Sequence, residues 1–372
     1  MLIGVPKEIK NHEYRIGMTP AGVREVVLHG HQVIVETQGG AGIGMSDAAY
    51  EAAGASIVGT PAEIFERADM VVKVKEPQAN ECKMLREGQV LFTYLHLAPD
   101  PDQTKGLIDS GCIAIAYETV TASDGSLPLL APMSEVAGRM SIQAGAAALE
   151  KSHGGSGVLL GGVPGVAPAK VAVLGGGVVG TNAARMAMGM EANVTVLDKS
   201  LSRLKELDMQ FGRELNTIYA TVDSIEEFVL DADLVIGGVL IPGAAAPKLV
   251  TREMLKKMRP GSVLADVSID QGGCFETSHA TTHSDPTYIV DDIVHYCVAN
   301  MPGGVARTST FALNNATLPF TVALADKGYK QASLDDPHLL EGLNVHTGRI
   351  TYQAVAEDLG YDFVPPKEAI GA

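Results

Sequence analysis

Sorted into apolar and polar positions, the chain falls into two series of short apolar runs separated by amphipathic stretches. In the N-terminal third the runs Leu2–Val5, Gln32–Glu36, Ser56–Val58, Met70–Lys75, Val90–Leu95 and Ile113–Tyr117 are short and mostly rich in Val and Ile, which predicts strands. Between them Pro20–Leu28, Asp47–Ala53, Pro61–Arg67 and Pro101–Asp109 carry helical spacing, and Pro20, Pro61 and Pro101 suit a first helical turn. A second series starts at Lys170. Its predicted strands are Val171–Leu174, Val194–Leu197, Ile218–Ala220, Leu234–Ile236, Val263–Asp266 and Tyr288–Val290, with Leu201–Phe211 and Arg252–Met258 as helices. Strands alternating with helices argue for βαβ units, so the expected fold class is α/β with two domains and mostly parallel sheets.

Between the two series lies Met133–Lys151, an Ala/Gly/Ser/Met-rich helix candidate with Ser134 as a natural N-cap, followed by the glycine-rich His153–Gly165. Its small side chains permit close packing against another element. Beyond Asn300, Asn315–Lys327 and Arg349–Asp358 read as helices and no third strand series is visible. The tail is therefore expected to pack back on an existing domain.

Composition narrows the function classes. A length of 372 residues suits two domains, and 46% hydrophobic residues suit a well-buried globular protein. A net charge of −16 without a basic patch argues against nucleic acid or an acidic membrane as partner. Cys82, Cys112, Cys274 and Cys297 are widely spaced and form neither a CxxC pair nor a zinc-ligand pattern, so reduced thiols and no metal site are expected. The opening Met1–Pro6 passes at once to Lys7-Glu8-Ile9-Lys10, unlike a signal peptide, which predicts a cytoplasmic protein. The most membrane-like stretch, Val158–Gly180, is broken by Lys170, prolines and glycines and is not expected to span a bilayer.

The sharpest chemical signal is Lys170–Gly180, KVAVLGGGVVG, where a strand pattern enters a glycine turn and a helical pattern leaves it. Gly175, Gly177 and Gly180 fit G-x-G-x-x-G, and Asp198 closes the next strand near the offset of a ribose-binding carboxylate. That combination predicts a dinucleotide site selective for NAD, with the phosphates on the helix N-terminus. In parallel α/β sheets ligands bind beyond the carboxyl ends of strands, and four such exits carry ionisable groups. Arg15 lies in the loop after the first strand, Lys75 ends Val71–Lys75, His96 follows Val90–Leu95, and Asp270 follows Val263–Ile269. An arginine fork suits a substrate carboxylate, a lysine can polarise a carbonyl, and a histidine can take and return protons. Asp270 can orient an amine or a water, although Asp266 is a rival carboxylate and Asp-Gln-Gly-Gly also makes a plain turn. The remaining histidines lie in polar or loop contexts and read as structural or solvated.

These residues carry a resemblance. IGVPKEIKNHEYRIGMTPAGV (Ile3–Val23), VVKVKEP (Val71–Pro77), YLHLAPD (Tyr94–Asp100), LGGGVVG (Leu174–Gly180), DVSIDQGG (Asp266–Gly273) and VANMPGGVARTST (Val298–Thr310) together resemble the bacterial L-alanine dehydrogenases, of the alanine dehydrogenase / transhydrogenase N-terminal family. The resemblance implies reversible oxidative deamination of L-alanine to pyruvate and ammonium with NAD, and a homohexamer. It implies two Rossmann-like domains with the active site in the interdomain cleft: residues 1–128 and 306–372 for the substrate, 129–305 for NAD. It makes Arg15 and Lys75 substrate-binding, and His96 and Asp270 catalytic. On the cofactor side it implies Ser134, Gly175, Gly177, Val178, Val179, Gly180, Asp198, Arg203, Val239, Leu240, Val267, Ser268, Ile269, Asp270, Val298, Ala299, Asn300 and Met301. Ala220 stands where some members carry serine, and Ala323 with Lys327 offers no metal-ligand pair. The alternatives are the NAD(H)-binding module of a nicotinamide nucleotide transhydrogenase and a saccharopine-type dehydrogenase.

Overall fold

Six apolar runs of the N-terminal third are strands: β1 (Leu2–Val5), β2 (Gln32–Glu36), β3 (Ser56–Val58), β4 (Met70–Val72), β5 (Val90–Thr93) and β6 (Ile113–Ala116). Seven more follow: β7 (Lys170–Leu174), β8 (Asn193–Asp198), β9 (Leu215–Tyr219), β10 (Leu234–Gly237), β11 (Val263–Asp266), β12 (Thr287–Val290) and β13 (Ile293–Tyr296). The tail supplies β14 (Leu343–His346) and β15 (Arg349–Ile350). The computed structural model describes residues 1–239 and 246–371. The chain divides into two compact units, Met1–Met133 with Gly303–Ala372, and Ser134–Pro302.

In the first unit the strands run in the order β15-β14-β6-β5-β4-β1-β2-β3, and in the second β12-β13-β11-β10-β7-β8-β9. The pairings of β1 to β6 are parallel, as are those linking β7, β8, β9, β10, β11 and β13. The β14, β15 and β12 additions are antiparallel. Counted by appearance, the parallel strands of each sheet follow the doubly wound order 3-2-1-4-5-6. The winding reverses between β1 and β4 in one sheet and between β7 and β10 in the other. The second sheet is buried on both faces, with Val171 and Val173 in one apolar cluster and Ala172 and Leu174 in another, so its strands read as continuous apolar runs.

Several expectations need correction. β4 and β5 stop at Val72 and Thr93, short of Lys75 and Leu95: the Lys73 and Tyr94 amides still reach backbone carbonyls, but from Val74 and Leu95 on carboxylates take the amides. β13 was not expected. It forms a hairpin with β12 through Asp291 (φ 48°) and Asp292 (φ 63°), the left-handed pair that a two-residue hairpin turn requires. The tail is not all helix either. Arg349–Ile350 is a strand, paired with β14 through a Thr347-Gly348 turn of the same kind, and the helix begins only at Gln353.

The helix expected over Asn315–Lys327 runs over Ala306–Asp335, with the backbone leaving helical geometry at Gly328 (φ 74°). Helix Ala131–Ala148 starts before Ser134, which sits inside its first turn and is not its cap. The small residues of that helix do serve close packing: a Cβ on Gly138 would lie 2.2 Å from the Val179 carbonyl oxygen, and one on Gly145 2.7 Å from Leu234. No described helix is long and apolar enough to cross a membrane.

Candidate functional site

In the first unit, Arg15, Lys75 and His96 leave the carboxyl ends of β1, β4 and β5, three neighbouring parallel strands. The chain after β1 makes a close pass over the reversal point: a Cβ on Gly17 would meet the Val72 carbonyl at 2.4 Å. Arg15 is 2% exposed. Its Nε and Nη2 donate to the two carboxylate oxygens of Glu13 at 2.7 and 2.6 Å, and Nη1 lies 3.0 Å from the Met133 sulfur. Burial works to lower the pKa of the guanidinium, but the Glu13 pair outweighs it and keeps the cation protonated.

Two lysines two residues apart have different fates. Lys73 is fully buried and paired with Glu81 at 2.8 Å and Glu8 at 3.2 Å. Lys75 is half-buried, and its ammonium has no hydrogen bond or ion pair among the described residues. It is the lysine available to a ligand.

His96 is exposed and adopts φ 50°, unusual for a side chain of its size. Its backbone N–H donates to Glu118 at 2.6 Å, as does that of Leu95 at 3.2 Å. Its ring stacks on Tyr94, with centroids 5.8 Å apart and planes 6° apart. Tyr94 is buried and donates its hydroxyl to the Leu129 carbonyl at 2.5 Å, with burial raising its pKa far above the ordinary range. The histidine is thus held by Glu118 at its backbone and by Tyr94 at one face of its ring, and the residue remains exposed.

In the second unit each glycine of the fingerprint has a separate duty. Gly175 takes φ 97°, and a Cβ there would press on the Gly238 carbonyl at 2.9 Å. A Cβ on Gly180 would overlap the Gly175 carbonyl oxygen at 1.8 Å, so only glycine lets the helix sit against the turn. Gly177 caps helix Val178–Gly189 without a side-chain bond, and a Cβ there meets nothing within 4 Å. That leaves the first-turn amides and open space for an anion.

Asp198 ends β8 and accepts from the Gly176 amide at 2.7 Å and the Ser200 amide at 2.7 Å, with lone pairs left for a diol. Arg203 braces the turn, donating from Nε to the Gly176 carbonyl at 2.6 Å and from Nη2 to Thr181 at 2.6 Å.

Val239, the Val267–Asp270 turn and Val298 follow β10, β11 and β13, which lie side by side with β7. Ser268 donates to the Val239 carbonyl at 2.7 Å and so ties two of these loops together. Asp270 is exposed in that turn. Asp266 is buried and accepts from the amides of Ser268, Cys274 and Phe275 and from the Ser278 hydroxyl at 2.5 Å, with burial raising its pKa. It braces the loop from within, which separates it from Asp270. Asn300 has φ 60°, and Met301 is buried. Leu240 lies outside the described residues.

Sequence reasoning passed over Glu8, Glu13, Lys73, Glu81 and Glu118, which surround the candidate residues. The signal in hand was the charge of VPKEIKNHEYR and VVKVKEP next to apolar strands.

Models described as Alanine dehydrogenase/PNT, N-terminal domain, and Alanine dehydrogenase/PNT, C-terminal domain, match residues 4–137 and 141–353. The chain is 62% identical over 371 residues to an alanine dehydrogenase of Halomonas elongata, covering 100% of both chains. It is similar to a solved L-alanine dehydrogenase structure with a TM-score of 0.94 at 51% identity, covering 97% of this chain and 99% of that one. A transhydrogenase from Sinorhizobium meliloti has a TM-score of 0.83 at 24% identity, covering 94% of this chain and 100% of that one, a likeness of fold alone. Two matching models that span nearly all of the sequence, and a relative this similar from end to end, show that the chain belongs to the alanine dehydrogenase/PNT family.

Proposed function

We propose that this chain catalyses the reversible oxidative deamination of L-alanine to pyruvate and ammonium with NAD. The reading rests above all on Arg15, Lys75 and His96 leaving three adjacent strand ends of one sheet, in a chain 62% identical to an alanine dehydrogenase. We assign substrate binding to the first unit and NAD to the second. The open space at Gly177, the uncapped helix start and the Asp198 carboxylate fit a dinucleotide, and Asp198 disfavours a 2′-phosphate. Ser134, Val178, Val179, Arg203, Val239, Val267, Ser268, Ile269, Val298, Ala299, Asn300 and Met301 would line the same site.

When bound, NAD supplies the hydride acceptor. Arg15 and Lys75 hold the substrate carboxylate, Arg15 as a planar guanidinium and Lys75 as a point charge. Loss of hydride from Cα leaves an iminium on the substrate. His96 takes a proton from the water that adds to this carbon, then returns it as ammonia departs. Asp270 orients the amino group or the water. Positioning of this kind is worth up to about 7–11 kcal/mol of barrier.

The family resemblance supports a homohexamer, and four free thiols support a reducing compartment such as the cytoplasm. Light scattering should give six times the 38.9 kDa chain mass. The deciding assay incubates the protein with NAD and a panel of amino acids at alkaline pH and follows NADH. Alanine should be oxidised preferentially. Absence of NADH formation with every amino acid, or activity only with a second nucleotide, would overturn the reading.

A further inference from the structure

We propose that Glu8 is the positioning residue that sets Lys75 for the substrate, acting through the backbone of the segment that leaves β4; the proposal rests on the reading of Lys75 as substrate-binding. The Lys73 amide still bonds the Phe92 carbonyl of β5 at 3.2 Å, and beyond it the amides of Val74 and Lys75 have no strand partner. One carboxylate oxygen of Glu8 takes both, from Val74 at 2.6 Å and Lys75 at 3.3 Å. The carbonyls are held as well: Lys73 by the Tyr117 hydroxyl at 3.0 Å, Val74 by the Tyr94 amide at 3.2 Å, and Lys75 by the Thr93 hydroxyl at 3.0 Å.

The other Glu8 oxygen accepts from the Lys73 ammonium at 3.2 Å, which also donates to Glu81 at 2.8 Å. The second oxygen of Glu81 accepts from the Gln78 amide at 2.8 Å, pinning the far end of the segment. Glu8, Lys73 and Glu81 are 5%, 0% and 1% exposed, so water cannot substitute for a lost member. The alternation along Lys73-Val74-Lys75 gives each lysine one task. Lys73 offsets part of the charge of the carboxylates that clamp the backbone, and the Lys75 ammonium makes no hydrogen bond among the described residues. Glu8 touches no reacting atom in this scheme.

The test uses the full-length protein, first shown to oxidise alanine. Failure of the wild type with every amino acid counts against the substrate reading, whereas the next comparison addresses Glu8 alone. Glu8→Leu should raise KM for alanine and pyruvate by about tenfold, with kcat within threefold and the NADH dissociation constant within twofold. On a Lys75→Ala background the same substitution should add less than twofold, because its effect runs through Lys75. A folded Glu8→Leu protein with KM within twofold of wild type overturns the proposal, as does an undiminished effect on the Lys75→Ala background. Should Glu8→Leu not fold, Glu8→Gln/Lys73→Met, which keeps the acceptor for both amides, is compared with Glu8→Leu/Lys73→Met, which lacks it. A tenfold KM gap between these two supports the assignment, and equal KM values overturn it.

Discussion

The Arg15 guanidinium is 2% exposed, where a bare charge costs several kcal/mol, and the Glu13 carboxylate two residues away meets it with two parallel bonds. This pairing presents a rigid, permanently charged fork. Removing one partner of such a pair leaves the other buried and uncompensated. Glu13→Ala should therefore lose about 3–5 kcal/mol of stability, read by urea unfolding followed by circular dichroism. His96 differs, since its imidazole is exposed, stacked on Tyr94 and 3.9 Å from a Glu118 oxygen. Replacing it with Ala should cost about 10²–10⁴ in kcat while NADH still binds. Near-wild-type turnover would remove His96 from the mechanism. Arg15, Lys75 and His96 were legible from sequence because strand exits can be located from apolar runs. Glu8, Glu81 and Glu118 were not, because their pairing depends on partners 65, 8 and 22 residues away.

At the scale of elements, the glycine turn holds one packed position and one open one. A methyl group at position 180 would collide with a carbonyl 1.8 Å away, whereas one at position 177 meets open space. Gly180→Ala should lower stability by about 1–3 kcal/mol and impair NAD binding with it. Gly177→Ala should melt with the wild type yet bind NADH at least tenfold more weakly, as fluorescence titration would reveal. Equal NADH affinity in Gly177→Ala would mean that the phosphates do not approach there. The motif and the alternation of strands with helices were readable because they depend on local pattern. The hairpins β12–β13 and β14–β15 were missed because each turns on two residues with positive φ, one of them an Asp-Asp pair that looks like ordinary loop.

For the whole molecule, the decisive event is the return of the chain to its first unit. β14 pairs with β6, which is more than 200 residues earlier, and Leu343, Val345, Ile350 and Val355 are buried there. Each such side chain is worth about 1.5–3 kcal/mol on burial. A chain ending at Asp335 should thus lose cooperative thermal unfolding in circular dichroism; a melt like that of the full chain would contradict this.

Acid stability has a separate source. His295 on β13 is fully buried, near the Ile293 carbonyl at 3.0 Å and Thr277 at 2.7 Å, and burial lowers its pKa. The folded protein holds it neutral, so the unfolded chain binds the extra proton. Stability is complete above about pH 6.5 and falls as pH drops below it. His295→Gln should flatten the acid limb of Tm against pH. By itself the sequence determined two α/β series, a glycine-rich turn between strand and helix and the four ionisable exits, all consequences of local periodicity and turn chemistry. Only the tertiary structure decided which lysine is sequestered, which aspartate braces its loop and where the tail completes a sheet, because burial and pairing depend on residues that meet only when the chain has folded.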